Sequence, residues 1–398
     1  MSSFRIVAAP AIPASRRRPN TLVRRVDWVL ALAVATLVVV GALLVWSATR
    51  QYQLDHGANQ YAYLEKHLFN AGVGLALAVA VASVDYRLLR TYASAIYGLS
   101  LLGLAAVLLA GSTINGARSW IVLPAGFELQ PSELAKVALI VVTAIVLGAA
   151  RTDTRTRLGA APGGREVLTV LLLAVPPLGL IMLQPDFGTT MVFVMVLLGM
   201  LTLSGAPARY VLALVASGIG FGFGFAVLHL HLLKPYQVAR LTEFARHSTT
   251  ADSGVGYNVN QAMIANAHGG FFGRGLLHGS QTQGQFVPEQ KTDFVFTVAG
   301  EELGFVGAAL ILVLLGLVLW RAAAVAQRAD DSFGTLVCAG VIVWFAFQAF
   351  VNIGMTLGIM PVTGLPLPFL SYGGSSMFAN MLAIGLVENV RLRSPSRQ

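Results

Sequence analysis

Apolar runs of about twenty residues, each closed by a short polar or glycine- and proline-containing segment, recur along the whole chain and leave few folds open. A hydrocarbon layer is crossed by roughly 20 helical residues. Stretches 27–48, 67–84, 93–111, 131–149, 166–183, 188–204, 208–231, 294–320, 333–357 and 372–390 approach or exceed that length. Backbone in lipid has to satisfy its own hydrogen bonds, so each run reads as a helix. The expected fold is an all-α polytopic membrane protein with about ten transmembrane helices.

Composition agrees, since 56% of the 398 residues are hydrophobic and only 11% charged, against roughly 25% charged in ordinary soluble domains. The formal charge of +9 raises nucleic acid as a partner, but the cations sit in short segments between apolar runs, where they act as a topology signal. Residues 1–25 carry Arg16, Arg17, Arg18, Arg24 and Arg25 without apolar periodicity and read as a disordered cytoplasmic tail. The first run is longer than a signal-peptide core and lacks a small-residue cleavage site, so it reads as a retained span. With the N-terminus inside, the short outer loops hold only Arg50, Lys66 and Arg118. Both termini are therefore expected in the cytoplasm, with one long extracellular loop, 232–293, between helices seven and eight. One membrane domain is expected over 26–393, followed by a short tail, 394–398. Trp28, Trp46 and Trp320 fall at span ends and read as interfacial anchors.

Metal and disulfide chemistry find little support. Cys338 is the one cysteine and lies in an apolar run, which removes an internal disulfide and a cysteine metal site. The seven histidines show no ligand spacing, which argues against a zinc enzyme.

Five polar stretches, the first overlapping the end of the fourth and all predicted on the outer side, carry the candidate chemistry. In FVPEQKTDFVFTVAGEELGF (286–305), Asp293 is the last polar residue before an apolar run. An ionisable group at the mouth of a membrane helix is costly and points to function. Desolvation would raise its pKa and Lys291 would lower it, the setting of a tunable acid or base. Capping of the following helix by Thr292 or Asp293 is the plainer alternative. In NGARSWIVLPAGFELQPSELAK (115–136), Asn115 and Gly116 favour a turn, Pro131 suits a first helical position, and Glu133 and Lys136 share a helical face. That pair is either internal glue or the lining of a polar cavity rimmed by Arg118, suited to a phosphate, and Trp120, suited to a sugar ring. In QPDFGTT (184–190), Asp186 reads first as a helix cap. Segment 232–293 contains Arg240, a helix expected over Val259 to Ala267, and a glycine-rich HGGFFGRG that matches no nucleotide fingerprint. The fifth stretch, MPVTGLPLPFLSYGGSS (360–376), is irregular backbone of the kind tolerated at membrane depth where it is buried or lines a wet cavity.

QPSELAK (130–136), QPDFG (184–188), VPEQKTDFVF (287–296), GEELG (300–304) and PVTGLPLPFLSYGGSS (361–376) resemble, in order and spacing, the SEDS family of shape, elongation, division and sporulation proteins. The likeness spans roughly residues 26–393, and GSQTQGQFVPEQ is worded more like the elongation branch, RodA, than the division branch, FtsW. Lys291 stands where related proteins commonly have His.

The resemblance implies a peptidoglycan glycosyltransferase of the bacterial cytoplasmic membrane, working on the periplasmic face. Its substrate would be lipid II, the undecaprenyl-diphosphate-linked disaccharide pentapeptide. Its partners would be a class B penicillin-binding protein and other membrane proteins of the elongation complex. It also implies that Asp293, Glu133 and Lys136 are catalytic and that Trp120 is functionally sensitive. In this reading Asp293 deprotonates the acceptor 4-hydroxyl, which displaces the diphosphate with inversion. Arg118, Lys136, Arg240 and Lys291 are the candidate diphosphate cations, with a divalent ion such as Mg or Mn as a conceivable helper. Gln130, Asp186, Ser371, Tyr372, Ser375 and Ser376 complete the expected substrate-binding set. A lipid II flippase and a non-catalytic scaffold for cell-wall synthases are the alternatives.

Overall fold

The structure, a computed structural model, describes residues 25–114, 117–123, 127–152, 161–228 and 255–394. Apolar periodicity and polar punctuation give the helices α1 (Trp28–Asp55), α2 (Ala62–Ser83) and α3 (Tyr86–Ala110), then strands β1 (Ser112–Ile114), β2 (Ala117–Leu123) and β3 (Phe127–Leu129). Helices α4 (Pro131–Thr152), α5 (Gly164–Leu183), α6 (Phe187–Leu203) and α7 (Ala208–Leu228) follow. After α8 (Val255–Gly269) and the single turn α9 (Ser280–Gln283), the chain ends in α10 (Val295–Gln327), α11 (Ser332–Thr356) and α12 (Gly374–Arg393).

Seven of these helices, α1–α5, α10 and α11, are long and apolar enough to cross a membrane, and α6 and the first half of α7 form shorter apolar helices. Helix α12 falls short for a physical reason. It packs along α2 and against α5's neighbour α4 in the bundle interior, where buried Ser375, Ser376, Asn380, Glu388 and Asn389 meet protein. A helix shielded from lipid need not be apolar all round.

Two features depart from the sequence reading. The fold is not purely helical: β1, β2 and β3 form a small antiparallel sheet in that order, pairing Thr113 with Arg118 and Val122 with Glu128. A three-residue strand carries too little periodicity to register against long helical runs. The expected run 294–320 is also interrupted, because Gly304 leaves helical geometry at φ 68°, ψ −166°. A Cβ there would lie 2.2 Å from the backbone nitrogen of Gly273. The glycine-rich 268–275 thus serves close backbone approach: Arg274 and Gly275 donate their N–H groups to the carbonyls of Glu301 and Glu302, each at 3.0 Å.

One end of the bundle is closed by charge. Asp27, 1% exposed, caps α1 by accepting the Leu30 N–H and pairs with Arg321 at 2.6 Å and Arg391 at 3.1 Å. Its own N–H donates to the Glu388 carboxylate at 3.2 Å. Asn389 donates to the carbonyls of Val81 and Val84 and accepts the Tyr86 N–H. The starts of α1 and α3 are therefore tied to the ends of α10 and α12.

Breaking a buried ion pair by removing one partner costs about 3–5 kcal/mol, whereas an exposed pair is worth roughly 0–1 kcal/mol. Asp27→Ala should therefore lower the thermal unfolding midpoint of the detergent-solubilised protein markedly. Asp85→Ala, which removes the half-exposed partner of Arg393 at 3.5 Å, should leave it nearly unchanged; equal effects of the two would contradict the buried cap.

Candidate active site

The opposite end of the bundle brings together described residues of these polar stretches. Asp293 sits on a tight turn in which Glu289, at φ 53°, accepts the N–H groups of Thr292, Asp293 and Phe294. The turn delivers a buried Phe294 as the N-cap of α10, which makes no side-chain cap hydrogen bond. Asp293 is half-buried. Its Oδ2 would stand 3.4 Å from a Cβ on Gly364, where φ is +75°, so the carboxylate lies against the irregular stretch and glycine there leaves it room.

Residues 361–373 run between the ends of α11 and α12 and meet several elements at once. Gly188, at the start of α6, lies against Thr363 and Leu365. Ser371 is buried, and its hydroxyl accepts the Leu367 N–H at 2.7 Å. The Tyr372 N–H donates to the Lys291 carbonyl at 2.9 Å, which joins this stretch to the Asp293 turn. The Tyr372 ring meets Tyr63 edge-on at 5.1 Å and lies near His67. The Lys291 ammonium stands 5.0 Å over the Tyr63 ring. Together with Thr49, Tyr52, Gln285, Glu289 and Gln290, these two line a small open cleft beside the Asp293 turn.

The α4 side is joined to the same region but sealed. The Gln130 N–H donates to Ser375 Oγ at 2.8 Å, and its side-chain amide donates to Asp186 Oδ2 at 3.0 Å. Asp186 also caps α6 through the Thr189 N–H, the role the sequence favoured. Glu133 and Lys136 pair at 2.7 Å with 2% and 1% exposure. Lys136 further lies 4.6 Å over the Trp344 ring and 3.4 Å from Gln348 Oε1. Such a pair offsets the burial cost of both charges.

Placement of the remaining candidates follows from these elements. Ser375 and Ser376 give their hydroxyls to the carbonyls of Glu128 and Gly373. Trp120 lies on β2, whose sheet packs over α3 and α4. Arg118 is placed by its strand pairing alone, and Arg240 lies outside the described residues. Glu301 is turned to structure: its two carboxylate oxygens accept the Gln281 and Thr282 N–H groups, each at 2.8 Å, at the start of α9. Glu302 accepts the Ser47 hydroxyl at 2.6 Å. Among the described residues no three His, Cys, Asp or Glu side chains converge as metal ligands.

Sequence reasoning missed Tyr63, Gln348 and Asn352. Tyr63 lies just before the expected span 67–84 and belongs to none of the polar stretches. The two amides sit inside an apolar run at i and i+4, a spacing that marks one helical face and was the available signal.

Comparison with known proteins gives a consistent answer. A model of the family of FtsW, RodA and SpoVE, described as cell cycle proteins, matches residues 27–395. The stage V sporulation protein E of Bacillus subtilis is 35% identical over 92% of this chain and 96% of its own. A probable peptidoglycan glycosyltransferase FtsW of Thiomicrospira cyclica is 37% identical over 92% and 91%. The peptidoglycan glycosyltransferase MrdB of Escherichia coli is 33% identical over 92% and 93%. Among solved structures, a chain of a peptidoglycan synthase complex that coordinates polymerisation and crosslinking superposes with a TM-score of 0.74 at 32% identity, covering 92% of this chain and 97% of that one. The rod shape determining protein RodA of Thermus thermophilus gives 0.65 at 32% identity, covering 92% and 96%.

The sealed pair makes a distinct thermodynamic prediction. Lys136→Met leaves Glu133 charged and uncompensated and should destabilise the protein by about 3–5 kcal/mol. The double variant with Glu133→Leu should recover most of that loss in a thermal unfolding assay, and failure to recover would mean the two residues act separately.

Proposed function

The chain belongs to the FtsW, RodA and SpoVE family of cell cycle proteins, and on that premise we propose that it is a peptidoglycan glycosyltransferase that polymerises lipid II. The observation that carries the proposal is the half-buried Asp293 carboxylate held against Gly364, beside a cleft lined by Lys291 and Tyr63. A base that must meet a sugar hydroxyl needs partial access and a fixed position.

In the proposed reaction Asp293 takes the proton of the acceptor 4-hydroxyl as that oxygen attacks the anomeric carbon of the donor. The new C–O bond forms as the bond to the diphosphate breaks, and the configuration inverts. Negative charge then collects on the departing diphosphate and needs a preorganised cation. Lys136 is committed to Glu133 inside the bundle, so this role falls first to Lys291, with Arg118 and Arg240 as the further candidates. Tyr372 and Gln130 are assigned to holding the saccharide. Trp120 is assigned to a sugar face.

Ten spans with both termini cytoplasmic fit the arginines at the Asp27 end, among them Arg25, Arg90, Arg321, Arg391 and Arg393. The Asp293 end then faces the periplasm, where a class B penicillin-binding protein can take the new strand for crosslinking. The likeness to a chain of a peptidoglycan synthase complex supports that partner. The wording of residues 279–290 favours a role in elongation.

Asp293→Ala in the purified full-length protein should lower polymer formation from lipid II by at least about a hundredfold, the scale of a lost general base, while leaving the unfolding midpoint and partner binding close to wild type. Wild-type turnover in that variant would remove the proposed base. Translocation of lipid II across liposomes without polymer would favour a flippase instead.

A further inference from the structure

Asn352 and Gln348 stand one helical turn apart on α11, and neither is exposed at all. Their amides face two pieces of irregular backbone. Asn352 Nδ2 donates to the carbonyl of Asp293 at 2.8 Å and to that of Leu365 at 2.7 Å. Gln348 Nε2 donates to the carbonyl of Pro366 at 2.6 Å. Gln348 Oε1 in turn accepts from Trp344 Nε1 at 2.6 Å and lies within reach of the Lys136 ammonium at 3.4 Å.

This arrangement has a direction. The Asp293 turn and the stretch around Gly364 are separate in sequence, yet one amide group holds a carbonyl of each. The tie falls on the peptide of Asp293 itself, one bond from the Cα that carries the carboxylate, and Leu365 adjoins the glycine against which that carboxylate lies. Gln348 repeats the attachment one residue further along and leans on the buried Glu133 and Lys136 pair. A buried carbonyl left without a partner carries its full desolvation penalty, so loss of the Asn352 amide would drive both segments to rearrange.

We propose that Asn352, backed by Gln348 and through it by the Glu133 and Lys136 pair, is a positioning residue that fixes the Asp293 carboxylate against Gly364. The proposal rests on Asp293 being the base of the proposed reaction. It predicts that removing the amide disturbs the chemical step more than substrate binding.

The test has two arms. In the first, Asn352→Ala in the full-length protein should lower kcat for lipid II polymerisation by about a hundredfold, as an ångström-scale displacement of a catalytic group does, with the Kd for lipid II nearly unchanged. In the second, Asp293→Cys is labelled with a maleimide; Cys338, the one native cysteine, is buried and gives little background. Labelling should become severalfold faster when Asn352→Ala is added, because the backbone tie no longer holds residue 293. Wild-type kcat in Asn352→Ala, or an unchanged labelling rate, overturns the inference. Should Asn352→Ala not fold, Asn352→Ser keeps one donor and should give intermediate values in both arms; wild-type values there overturn it equally. A wild-type protein that makes no polymer overturns the proposed function, and the labelling arm still decides the tie.

Discussion

Backbone that leaves regular structure inside an apolar bundle has carbonyls that neither water nor a helix can satisfy, and side chains must meet them. Residues 361–373 and the Asp293 turn are such backbone, and their partners come largely from α11. Trp344, Gln348 and Asn352 form a polar seam along one face of a mostly apolar helix. Each buried hydrogen bond contributes about 1 kcal/mol when made, and the larger effect is the penalty when one is left open. The seam therefore fixes a geometry more than it adds stability, which is what a site needs from its support.

The two ends of the bundle solve the burial of charge differently. At the Asp27 end two arginines surround one carboxylate, and the bonded groups belong to α1, α10 and α12. At the Asp293 end one buried ion pair, Glu133 with Lys136, lies inside α4, while amides and hydroxyls join the turns around it, as in Gln130 to Asp186 and the Gln130 N–H to Ser375. A dense ion pair resists rearrangement because parting it exposes uncompensated charge in a low dielectric. Neutral hydrogen bonds exchange partners at lower cost.

Much of this was legible in the chain. Long apolar runs marked the helices with bounds off by up to seven residues, as at Asp55, Tyr86 and Gln327, and QPSELAK, QPDFG and PVTGLPLPFLSYGGSS marked stretches that do come together. Three things were not legible. The small sheet depends on pairing between short strands, which leaves no periodicity. The break at Gly304 depends on Gly273 arriving from about thirty residues away, so no local pattern announces it. Asn352 and Gln348 belong to no motif within the run 333–357, and the backbone they satisfy lies elsewhere in sequence.

The base role proposed for Asp293 asks for a carboxylate that is neither sealed nor loose, and burial separates it from the other acids. Glu301 receives two backbone N–H groups and a threonine hydroxyl, Glu133 holds Lys136, and Asp27 holds two arginines. All three are at most 2% exposed, and a proton transfer at any of them would have to break the bonds that hold the fold. Asp186 is spent on capping α6 and on Gln130. Asp293 differs in having its main chain held while its carboxylate lies at a partly open edge. A general base needs both conditions, since a fixed but sealed acid cannot meet a hydroxyl and an open but loose one cannot hold its aim.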